Sequence, residues 1–121
     1  MKTPLLYNET PLFVLPSLAV DIGLNEAILL QSIHGGLLAC QELEIEKIDG
    51  HYWVTLSIDQ WQKRFSFWSK NTIIRTLNSL KKQNFIIARN LTPNSKNRTL
   101  FYTINYQYLA MYYVPNNPHR A

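Results

Sequence analysis

Between residues 57 and 104 the apolar positions keep a helical spacing through two successive stretches and then give way to two β-prone runs. Ile58, Trp61 and Phe65 recur on one helix face, and Ser57 stands where an N-cap hydroxyl belongs, so a helix is expected over residues 57–65. Ser66, Phe67 and Trp68 turn the chain. Ser69 then caps a second helix, residues 70–83, with Ile73, Leu77 and Leu80 as its buried stripe and Asn84 as a left-handed stop. Residues 85–89 and 99–104 pair as a hairpin across the polar, turn-rich loop 90–98. Helix, turn, helix and hairpin in this order predict an α+β fold, a winged helix-turn-helix, with the helix pair at 57–83 and the wing at 85–104.

The rest of the chain supplies a scaffold for that unit. Leu12, Phe13, Val14 and Leu15 read as a short strand or an extended segment packed on the core. Pro16 suits the first position of a short helix ending at Gly23, and Asn25 is expected to cap a longer one with Ile28, Leu29, Ile33, Leu37 and Leu38 on its apolar face. Gly35 and Gly36 lie inside that helix at a propensity cost of about 1 kcal/mol each, which a close helix crossing or a kink would explain. Asp49-Gly50 is a two-residue hairpin signal between residues 43–48 and 51–56, whose second run is the surer strand. A short helix over 105–113 completes the expectation: one domain, with an N-terminal helical extension and a short C-terminal helix.

Composition narrows the class. The 121 residues, 46% hydrophobic and 17% charged, fit a folded domain, and no apolar run reaches the length of a membrane helix. Residues 1–10 are broken by Pro4, Asn8 and Glu9 and make a poor secretory signal, and Cys40 is the single cysteine; a cytoplasmic location is expected.

Charge changes the picture more than composition does. The net value is only +4, yet residues 1–59 hold all eight acids against Lys2 and Lys47, whereas residues 60–121 hold ten basic residues and no acid. Such segregation gives a dipolar molecule whose basic side is drawn to a polyanion. Within that half, the face of the second helix left outside by its buried stripe carries Lys70, Asn71, Ile74, Arg75, Asn78, Lys81 and Lys82. The candidate DNA-binding set is these residues together with Ser69 at the helix start, Arg89 on the strand leading into the wing, and Lys96 and Arg98 on the wing itself. Asn71 and Arg75, early in the helix, are placed to reach base edges; Lys81, Lys82 and Lys96 are placed to meet the backbone.

Other chemistry has little support. His34 is separated from His51 and His119 and from any cysteine or carboxylate at ligand spacing, so it reads as a packed or interfacial histidine, and no metal or other cofactor is expected. Glu42, Glu44 and Glu46 read as an exposed strand face or loop. Phosphate-binding glycine motifs and a nucleophile elbow are absent, and an enzyme is not expected.

Pro11-Leu12-Phe13-Val14-Leu15-Pro16-Ser17-Leu18-Ala19, the run from Gly23-Leu24-Asn25-Glu26-Ala27 through Gln31-Ser32-Ile33-His34, Tyr52-Trp53-Val54, Trp61-Gln62, Phe67-Trp68-Ser69, Thr72-Ile73, Arg75-Thr76-Leu77 and Tyr102-Thr103-Ile104-Asn105-Tyr106 form a dispersed pattern. It resembles the N-terminal winged-helix domain of replication proteins from phages and other mobile elements, over roughly residues 11–108. The resemblance implies binding to origin DNA or help in assembling a replisome, with the second helix and the wing as the DNA surface. Double-stranded DNA is the expected ligand, with single strands as an alternative. Two other roles stay open: an adaptor whose winged helix binds protein, and an inhibitor of a host replication or defence protein. A homodimer is expected, built from Leu5, Leu6 and Tyr7 and the tyrosine-rich segment 106–113.

Overall fold

The computed structural model describes residues 11–92 and 100–112, and the architecture is α+β. Its elements are α1 (Pro16–Ile22), α2 (Leu24–Glu42), β1 (Val54–Thr55), α3 (Ile58–Arg64), α4 (Lys70–Lys82), β2 (Ile86–Arg89), β3 (Phe101–Ile104) and α5 (Tyr106–Tyr112). The three strands form an antiparallel sheet in the order β1-β3-β2. β3 is central: Tyr102 lies opposite both Val54 and Ala88, and Phe101 opposite both Thr55 and Arg89.

Local chemistry explains where these helices start and stop. Ser57 accepts from the backbone N–H of Gln60 at 3.1 Å, while the Gln60 side chain accepts from the Ser57 N–H at 2.8 Å. This reciprocal capping box fixes the first turn of α3. Asn84 adopts φ 65° and ends the α4 segment as its position suggested. α1 and α2 meet at Gly23, whose φ of 108° is open to glycine and whose carbonyl accepts from Ala27 N–H at 2.9 Å. α2 therefore begins at Leu24, with Gly23 rather than Asn25 in the capping position.

The core is shared by all layers. Leu29 and Ile33 of α2, Trp61 of α3, Ile73 and Leu80 of α4, Ile104 of β3, and Phe65 and Phe85 from the connections are essentially inaccessible to water. Burial of each such side chain contributes about 1.5–3 kcal/mol relative to exposure. α2 packs on α4 and β3, and α3 packs on α4, so the α4 stripe Ile73, Leu77 and Leu80 is the joint between scaffold and helix pair.

Several expectations are corrected. Residues 12–15 form no strand and do not enter the core; Phe13 is 74% exposed, the segment lying between Pro11 and Pro16 without a pairing partner. Leu38 is exposed, and α2 runs to Glu42, leaving Glu44 and Glu46 on a loop. The Asp49-Gly50 turn does form, with φ 53° and 77°, but the hairpin is reduced to one bridge between Ile48 and His51. Gly35 and Gly36 lie inside the unbroken helix α2, and neither is set in a close helix crossing. Gly36 lies against β1, where a Cβ would stand 2.8 Å from Val54 Cγ1, whereas a Cβ on Gly35 would meet nothing within 4 Å.

The aromatic end of the chain is tied to its own domain. Tyr108 and Tyr112 pack against Phe85 with ring centroids 5.7 and 5.3 Å away, and the Tyr106 hydroxyl lies 2.8 Å from His34 Nδ1. Tyr108 and Tyr112 are thus partly buried against the core, while Tyr106 remains 44% exposed. Leu5, Leu6, Tyr7 and Tyr113 lie outside the described residues. Among the described residues, no helix is long and apolar enough to cross a membrane.

Candidate nucleic-acid interface

α4 is held at a defined rotation, and this decides which side chains face outward. Ser69 accepts from the Thr72 backbone N–H at 3.1 Å and its hydroxyl meets that of Thr72 at 3.0 Å. Ser69 is thus occupied as the helix cap. Thr76 turns its hydroxyl back to the Thr72 carbonyl at 2.7 Å, which lets a polar residue sit inside the buried stripe. With Ile73, Thr76, Leu77 and Leu80 inside, Lys70, Asn71, Ile74, Arg75, Asn78 and Lys82 are exposed and Lys81 is half-buried. No acidic residue lies in α4, and Lys81 and Lys82 occupy its last turn.

The charge segregation seen along the chain is only partly kept in space. Asp59, in the first turn of α3, lies 2.6 Å from Lys70 Nζ. The hydrogen bond from Lys70 and its positive charge hold the Asp59 carboxyl below the usual carboxylate range, with a smaller contribution from Lys63. Arg89 is drawn in the other direction: its Nη1 lies 3.5 Å from Asp49 Oδ2, and its guanidinium stands 6.0 Å from the Trp53 ring centre. Two of the predicted contacts therefore already have partners from the acidic half.

Lys63 and Arg64, exposed in the last turn of α3, are basic residues of the same half that were absent from the predicted set. Lys63 lies near enough to Asp59 to help lower its pKa and so adjoins the Asp59–Lys70 pair at the start of α4, whereas Arg64 is turned toward α2, lining a hollow with Gly35, Gly36 and Ala39. Lys96 and Arg98 lie outside the described residues. The arrangement is a polar, cation-bearing helix face, with a helix start whose backbone N–H groups suit anionic oxygens.

Burial pushes the Tyr102 and Tyr106 hydroxyls above their ordinary range, and Tyr106 serves as the polar contact of His34. His34 is thereby a packed side chain joining α2 to α5. Among the described residues, no group of three histidines, cysteines or carboxylates is placed to hold a metal ion. Comparison of the chain with protein-family models, with curated proteins and with solved structures finds no match.

Proposed function

We propose that the chain is a winged helix-turn-helix protein that binds duplex DNA, with α3 and α4 as the helix pair, α4 as the recognition helix and the β2–β3 connection as the wing. The observation that carries this reading is the outer face of α4, where Asn71, Arg75, Asn78 and Lys82 are exposed together on a helix without acids. The sheet order β1-β3-β2 and the placement of α3 and α4 before the β2–β3 hairpin agree with it. Following the resemblance in the sequence, the role is replication initiation or its regulation in a phage or mobile element, with a homodimer as the assembly.

A second reading has its own support. Phe13, Leu15, Val20 and Leu24 are exposed around α1, an apolar surface that suits a protein partner in an adaptor or inhibitor of a host replication or defence protein.

Titration of a duplex at increasing salt separates the two. If about five phosphates are neutralised, log affinity falls with log salt at a slope of about −4 to −5. Within the same assay, Arg75→Ala weakens a selected duplex more than a scrambled one, whereas Lys82→Ala weakens both alike. Absence of duplex binding at low salt removes the DNA reading and leaves the protein-partner one.

A further inference from the structure

The outer face of α4 contains a feature that a purely cationic surface does not need. Asn71, Ile74, Arg75 and Asn78 are all exposed and fall at i, i+3, i+4 and i+7, so they form one continuous strip. Ile74, 41% exposed, is the apolar member of that strip. Its exposure is imposed by the fold: the adjacent Ile73 is fully buried with Leu77 and Leu80, and a rotation that turned Ile74 inward would turn Ile73 out. Contacts to phosphate are made by cations, amides, hydroxyls and backbone N–H groups, and an aliphatic side chain adds nothing to them.

The major groove offers an apolar target of its own, the C5-methyl group of thymine. The adenine of the same base pair presents an N6 donor and an N7 acceptor, which an asparagine amide matches with two hydrogen bonds. Asn71 and Ile74 lie about one helical turn apart on the same strip, so the two complementary chemistries stand next to each other. We propose that α4 reads an A·T base pair, or two adjacent ones, with the Asn71 amide on adenine and the Ile74 side chain against the thymine methyl. This rests on the duplex-binding reading and adds to it the class of sequence preferred. A face serving only as an electrostatic platform has no use for the Asn71–Ile74 combination, and a face reading only G·C pairs has no methyl for Ile74 to meet.

The test starts with selection of duplexes by the full-length protein from a randomised library, followed by resynthesis of the enriched duplex with deoxyuridine in place of thymidine. This removes one methyl per substituted base and leaves every hydrogen-bonding group in place. The expected result is an enriched site containing A·T pairs, at one of which deoxyuridine lowers wild-type affinity about 4-fold, the contribution of one buried methyl-sized group. Ile74→Ala binds the thymidine and deoxyuridine duplexes equally, Ile74→Val keeps part of the discrimination, and Asn71→Ala relaxes the preference for adenine. A wild-type protein that binds duplex DNA but is indifferent to deoxyuridine overturns base reading by Ile74, and so does an Ile74→Ala variant that retains the wild-type ratio. A wild-type protein that retains no duplex overturns the DNA-binding reading itself, and the inference with it.

Discussion

α2 and α4 pack against each other but are built on opposite plans. α2 is apolar on nearly every side: Ala27, Leu29, Leu30, Ile33 and Leu37 are buried, yet Leu24 and Leu38 remain exposed. α4 is sharply divided, with Ile73, Leu77 and Leu80 inside and a polar strip outside. A helix without a strong polar face takes its orientation from what surrounds it, whereas an amphipathic helix carries its orientation in its own residues. Scaffold and candidate interface therefore differ in how far their chemistry is decided locally.

The largest effect is expected where the two helices depend on the same side chain. Leu80 of α4 is fully buried in the core shared with α2, and Leu80→Ala should destabilise the fold by about 2–5 kcal/mol through lost burial and a residual cavity. Urea denaturation followed by circular dichroism measures this. A loss below about 1 kcal/mol would mean that the joint repacks freely and that the rotation of α4 is not fixed by its stripe.

A middle-sized effect distinguishes two neighbouring positions in α2. Gly36→Ala forces a methyl against the stiff, β-branched Val54 and should destabilise by about 1–3 kcal/mol, less the roughly 1 kcal/mol gained in helix propensity. Gly35→Ala meets open space and should stabilise by up to about 1 kcal/mol. Thermal melts of the two variants should shift in opposite directions. Equal shifts would show that β1 does not hold Val54 against α2.

The smallest effect concerns the edge of the candidate interface. Asp59→Asn removes an acid from beside Lys70 and frees that ammonium for phosphate, so duplex binding should strengthen and its salt slope should steepen by about 1. Because the folded Asp59 pKa is lowered, its ion pair is present above the ordinary carboxylate range and is lost as pH falls through the lowered value. Both partners are exposed, so the effect on stability is small, and an acid titration of Asp59→Asn against wild type should show the difference only at the acid end. An unchanged salt slope in Asp59→Asn would place Lys70 away from the DNA.

Much of the fold was legible because its signals are local. Ser57 and Ser69 before helical stripes, Asn84 at a left-handed stop and Asp49-Gly50 at a tight turn each act within a few residues of themselves. The polar strip of α4 was legible for the same reason, since the stripe that buries one face names the other. The extent of the strand at residues 43–48 and the start of α2 were misread where a local preference competed with a longer helix and with the permissive backbone of Gly23.

By itself, the sequence determined the helix pair, the hairpin after it, the outward residues of α4 and the concentration of positive charge beyond residue 59. Tertiary structure decided the rest. It set Gly36 against Val54, Tyr106 against His34, Tyr108 and Tyr112 over Phe85, and it returned Asp59 to Lys70 and Asp49 to Arg89. The physical reason is that periodicity and capping depend on neighbours within one or two helical turns. Close approaches and ion pairs depend on which distant segments the packing of the core brings together, and linear spacing carries no direct measure of that distance.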